Sequence, residues 1–134
     1  MVPDTPQVEE VIFSETGVSA GLSAGKLVID MSSISPIDTK IFAQKINEKG
    51  CGYLDAPVSG GEVGAKAASL TIMVGGSEED FNLAIPIFEL MGSNITLVGQ
   101  NGVGQTTKVA NARSIKAKIS WSPKSRAILA SMGA

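Results

Sequence analysis

Between Asp55 and Gly76 the sequence reads DAPVSGGEVGAKAASLTIMVGG, two strand-like apolar segments that each run into a pair of glycines. Branched apolar residues favour extended chain, and consecutive glycines stop it by opening turns that other residues avoid. The first pair, Gly60 and Gly61, follows Ser59 at the end of its segment. A hydroxyl donor beside residues without Cβ lets backbone N–H groups approach an anion closely. Ser59, Gly60 and Gly61 are therefore the candidate seat of a small carboxylate.

Around that run, strand and helix signals alternate. A short helix is expected over Gln7 to Phe13 and a strand over Lys26 to Ser32. Ser35 before Pro36 reads as an N-cap, opening a helix to about Lys49 with Ile37, Ile41 and Ile46 on its apolar face and Gly50 closing it. Gly52 to Val58 and Leu70 to Val74 read as strands. Ser77 followed by Glu78, Glu79 and Asp80 marks a capped, acid-rich start, leading into Phe81, Ile85, Phe88 and Leu90. Pro86 is expected to kink or restart that helix, which ends near Met91 and Gly92. A last strand over Ile95 to Gly99 leads through Gly102-Val103-Gly104 into another helix. Strands and helices alternating at this spacing predict an α/β layered sheet.

The residue inventory removes several chemistries. The chain has no histidine and one cysteine, Cys51, which excludes a Cys/His zinc site, a histidine-based triad and an internal disulfide. No metal is expected. The chain opens without a secretory pattern and holds no apolar run long enough for a bilayer, so a cytoplasmic protein without a membrane role is expected. All thirteen acidic residues lie at or before Glu89, while Lys108, Arg113, Lys116, Lys118, Lys124 and Arg126 make the end of the chain basic. With Trp121 as its lone aromatic, that tail reads more readily as a solvated helix than as a nucleic-acid footprint. Neither glycine cluster makes a nucleotide fingerprint: Gly60 to Gly64 has the wrong spacing, and Gly102-x-Gly104 has Thr107 at the third glycine's position.

Five motifs in one order carry a family resemblance: Met1-Val2-Pro3, IDMSSISP from Ile29 to Pro36, DAPVSGG from Asp55 to Gly61, LTIMVGG from Leu70 to Gly76, and G-x-G-x-x-x-K-x-x-N from Gly102 to Asn111. Together they resemble the middle of a β-hydroxyacid dehydrogenase, the group that includes 3-hydroxyisobutyrate dehydrogenase and tartronate semialdehyde reductase. The resemblance implies an α/β fold, the C-terminal half of a Rossmann-like nucleotide-binding domain over residues 1–107. It also implies the start of an interdomain helix, or an irregular basic tail, over 108–134. It implies NAD or NADP as cofactor and a small hydroxy acid or semialdehyde as substrate. Lys108 then resembles the catalytic lysine, Ser59, Gly60, Gly61 and Asn111 the substrate contacts, and Val2, Pro3, Ser32 and Ser33 the loops beside the nicotinamide.

The departures shape the expectation further. Ala112 follows Asn111 where the family carries Asn or Gln, Ala68-Ser69 stands in place of Gly-Thr, and Pro123 breaks the apolar stripe of the last helix. Only Ala127 to Ala134 returns to a helical pattern. A truncated enzyme, weakly active or inactive alone, is the expected reading. The alternatives are a non-catalytic remnant that self-associates through an exposed sheet edge, and a nucleic-acid binder working through the basic tail.

Overall fold

The structure, a computed structural model, describes residues 1–120, with side-chain surroundings through Arg113. The expectations placed on Trp121, Pro123, Lys124, Arg126 and the segment 127–134 lie outside the described residues. Among the described residues, five strands form one mixed sheet: β1 (Leu27–Asp30), β2 (Gly52–Asp55), β3 (Val58–Ser59), β4 (Leu70–Gly75) and β5 (Gly92–Gly99). β1 and β2 run parallel, as do β4 and β5, while β4 is antiparallel to both β2 and β3. The helices are α1 (Thr5–Phe13), α2 (Pro36–Asn47), α3 (Gly61–Lys66), α4 (Glu78–Phe88) and α5 (Val103–Ser120), with a 3-10 turn at Val18–Gly21.

Period-two alternation along β2 divides the core. Tyr53 faces the cluster of Val8, Ile12, Phe42, Ala43 and Ile46, while Leu54 faces Ile72, Val74, Ala84 and Phe88. Helices α1 and α2 thus cover one face and α4 the other. Each fully buried Phe or Ile contributes about 1.5–3 kcal/mol from surface removed from water.

Helix caps follow the sequence. Ser35 accepts from the Asp38 N–H and Ser77 from the Asp80 N–H, and Gly50 takes the positive φ of 71° past the end of α2. Four expectations are corrected. The Gly52 to Val58 strand is two, interrupted at Ala56-Pro57: the pairing with β1 ends at Asp55, while β4 runs antiparallel to both pieces, Gly75 opposite Asp55 and Ile72 opposite Val58. α4 is one uninterrupted helix through Pro86, which sits in its last turn and is exposed; the helix stops at Phe88 rather than Met91. The buried face of α2 is Thr39, Phe42, Ala43 and Ile46, leaving Ile37 at 74% and Ile41 at 45% exposure. Leu90 is likewise exposed, and the buried residues of α4 are Ala84 and Phe88.

Tyr53, the single tyrosine, is 1% exposed and donates its phenol hydrogen to Asp30 Oδ2 at 3.2 Å. Burial first, then the Asp30 carboxylate, pushes its pKa far above the ordinary phenol value of 10.0. The unfolded chain releases that proton near 10.0 while the folded chain retains it, so stability is intact below this pH and declines as pH rises above it. With one tyrosine, absorbance titration reads this group alone. Phenolate is expected to emerge only together with unfolding; a reversible titration near 10.0 with the circular dichroism unchanged would contradict the burial.

Candidate active site

The site depends on how α5 meets the sheet. Asp55, at the end of β2, has no exposed surface, and its two carboxylate oxygens accept from the N–H groups of Gly102 at 2.9 Å and Gln105 at 3.1 Å. These are donors that the first turn of a helix leaves without partners, so a distant strand residue caps α5. Burial raises the Asp55 pKa above the ordinary carboxylate value, against the lowering effect of the hydrogen bonds from Gly102, Gln105 and Asn101. Gly75 and Gly104 flank the carboxylate so closely that a Cβ on either would lie 2.7 Å from its oxygens. Asn101 finishes the joint by donating to the carbonyls of Tyr53 at 2.7 Å and Gly75 at 3.3 Å.

One turn beyond Gln105, Lys108 reaches back over the sheet and its Nζ donates to the Val58 carbonyl at 2.7 Å. The lysine therefore stands beside the residue that precedes Ser59. It forms one wall of a cleft of about 720 Å³. Val2, Pro3, Met31, Ser33, Gly61 and Glu62 are among the other residues that line it.

The cleft thus gathers five of the sequence-derived site residues: Val2, Pro3, Ser33, Gly61 and Lys108. The other four stand outside its wall. Ser59 is half-buried in β3, paired with Thr71, and Gly60 with φ 135° turns the chain into α3. Asn111 is half-buried one turn past Lys108 on α5. Ser32 is 1% exposed and works inside the protein: its Oγ accepts from the Val2 N–H at 2.9 Å, tying the N-terminal loop to the loop after β1.

Sequence reasoning missed Asp55 and Gln105. A single acid inside the apolar run YLDAPV was the available signal for Asp55, since an isolated buried carboxylate must find donors. Gln105 gave no signal, because its partners lie 71 and 73 positions away. Among the described residues, no three His, Cys, Asp or Glu side chains gather to hold a metal, and no helix is long and apolar enough to cross a membrane.

Residues 1–99 match the family described as the NAD binding domain of 6-phosphogluconate dehydrogenase. The chain is 64% identical over 111 residues to 2-hydroxy-3-oxopropionate reductase of Escherichia coli K12, covering 83% of this chain and 38% of that protein. It is 39% identical to mitochondrial 3-hydroxyisobutyrate dehydrogenase of Mus musculus, covering 83% of this chain and 33% of that one. Its fold superposes with a TM-score of 0.74 on Mycobacterium tuberculosis 3-hydroxyisobutyrate dehydrogenase solved with L-serine, at 39% identity, covering 83% of this chain and 37% of that chain. The chain therefore spans well under half the length of these relatives. By its matched domain and these relatives, the chain belongs to the β-hydroxyacid dehydrogenase family, with the α/β nucleotide-binding fold of that family.

Proposed function

We propose that this chain forms the substrate-facing wall of a hydride-transfer site that interconverts a small hydroxy acid and its semialdehyde, with the tartronate semialdehyde and glycerate pair as the favoured substrate. The observation that carries this reading is the Lys108 ammonium on the wall of the cleft, 2.7 Å from the carbonyl beside the Ser59-Gly60-Gly61 corner. The 64% identity to 2-hydroxy-3-oxopropionate reductase supports the choice of substrate.

The apolar side of the cleft, Val2, Pro3 and Met31 with the Ser33 hydroxyl at its edge, suits the flat ring of a nicotinamide from NAD or NADP. The pyrophosphate finds no G-x-G-x-x-G turn in this sequence, so the fit extends to the nicotinamide end alone. When bound, the nicotinamide supplies or takes up the hydride. Lys108 has three ammonium protons and gives one to Val58, leaving donors for a substrate carbonyl oxygen. As that oxygen gains negative charge, the ammonium stabilises it and passes it a proton; in the reverse direction the amine takes the proton back. Gly61 on the cleft, with Ser59 and Gly60 adjoining it, receives the carboxylate, and Asn111, on the next turn of α5 beyond the cleft wall, adds a donor where a bound substrate extends past Lys108.

Calorimetric titration with D-glycerate tests the reading. Binding is expected for the native chain and weakened about 10- to 100-fold in Lys108→Ala, the scale of a lost hydrogen bond to a charged group. Equal affinity in both proteins would remove Lys108 from the site.

A further inference from the structure

We infer that Gln105 is a positioning residue that fixes the distance across the cleft between Lys108 and Ser33. Its side chain is 1% exposed and both of its polar atoms are engaged: Oε1 accepts from the Ile34 N–H at 3.1 Å, and Nε2 donates to the Ser32 carbonyl at 2.7 Å. One amide thus grips the backbone immediately before and immediately after Ser33. That residue is itself exposed and lines the cleft, so nothing in its own packing explains a fixed position. The Gln105 backbone N–H meanwhile anchors to Asp55, which sets the start of α5 and, one turn later, the place of Lys108. The clamp extends to a third lining residue, because the Ser32 held at its carbonyl also accepts through its Oγ from the Val2 N–H.

The amide is chemically specific for this task. It must accept on one atom and donate on the other toward two backbone groups of opposite polarity, which an apolar side chain of the same size cannot do. A carboxylate accepts from Ile34 but opposes the Ser32 carbonyl with a second acceptor. A protonated carboxyl restores the donor. The consequence for hydride transfer rests on the proposed function above; the geometry of the clamp does not.

The test compares isotope-labelled native chain, Gln105→Glu and Gln105→Leu by NMR without ligand. In Gln105→Leu the Ser33 amide and the Lys108 ammonium signals are expected to move and the Ile34 amide to exchange faster, while signals of the α4 side of the core stay in place. In Gln105→Glu the same signals are displaced at neutral pH and return toward native positions as the carboxyl is protonated. The charged or titratable groups near this position are Asp55 on β2, Asp30 at the end of β1 and Lys40 on α2, whose side chain lies against Gly102. The native chain titrated in parallel carries all three, and only the difference counts. Unmoved Ser33 and Lys108 signals in a folded Gln105→Leu overturn the inference. Should that variant fail to fold, a Gln105→Glu chain whose Ser33 signal ignores pH beyond the native response overturns it equally. D-glycerate affinity is expected to fall about tenfold in Gln105→Leu, because Lys108 and Ser33 are no longer held in place for the ligand. Absence of D-glycerate binding in the native chain would instead count against the dehydrogenase reading, with the ligand-free signals still deciding the role of Gln105.

Discussion

Asp55→Ala is expected to destabilise the chain by about 3–5 kcal/mol, because it strips the acceptors from two buried backbone N–H groups at once. Both donors, of Gly102 and Gln105, lie where α5 meets the sheet and both are buried. Leaving each unsatisfied costs about 1–3 kcal/mol, and the helix start also loses the negative group that complements its dipole. Against a typical domain stability of about 5–15 kcal/mol, this is enough to leave a large unfolded fraction. Urea unfolding followed by circular dichroism reads the loss directly. Asp55→Asn keeps one acceptor but turns an amide N–H toward the other donor, so it is expected to fall between the native chain and Asp55→Ala. A loss below about 1 kcal/mol for Asp55→Ala would show that α5 is capped by something other than this carboxylate.

Gly104→Ala is expected to cost about 3 kcal/mol for the opposite reason, too much matter rather than too little hydrogen bonding. Its new methyl would lie 2.6 Å from the Met73 carbonyl oxygen, 2.7 Å from the Asp55 carbonyl oxygen and 2.7 Å from Asp55 Oδ2. Two of these three are main-chain atoms of the central strands and cannot step aside. The helix must lift, and Lys108 lifts with it. The readout is therefore double: a lower unfolding midpoint, and displacement of the Lys108 ammonium signal from the position set by its bond to Val58. The double variant Asp55→Ala with Gly104→Ala should lose less than the sum, since removing the carboxylate relieves one of the three clashes. A native midpoint for Gly104→Ala would mean that α5 does not rest on β2 and β4 at this closeness.

What the sequence disclosed and what it hid divide along the range of the interactions. Caps are local, so Ser35 and Ser77 were readable from the residues beside them, and so was the positive-φ stop at Gly50. The rotation of α2 was not readable: Ile37 and Ile46 look alike in the sequence, and only the position of the sheet decides that Ile46 is buried and Ile37 is not. The Ala56-Pro57 break was obscured because the residues on either side both favour extended chain and both pieces pair with the same strand, β4. At the site, motif spacing pointed to Lys108 and Gly61, which share the cleft, yet assigned to Ser32 a cofactor-facing role when the side chain is buried and bonded to Val2. The second glycine of Gly102-Val103-Gly104 belongs to no nucleotide motif, since Thr107 stands where the third glycine would be. Its use is steric, letting a helix start touch the main chain of two strands.

The central claim is that Lys108 and Gly61, which line one cleft, act on one carboxylate-bearing ligand together with the adjoining Ser59 and Gly60. Intermolecular nuclear Overhauser contacts from carbon-13-labelled D-glycerate to the isotope-labelled chain test this most directly. The account predicts simultaneous contacts from one bound glycerate to the Lys108 Cε protons and to the Gly60 or Gly61 α-protons, both lost in Lys108→Ala. Contacts to only one of the two groups, or contacts that persist without the lysine, would contradict it.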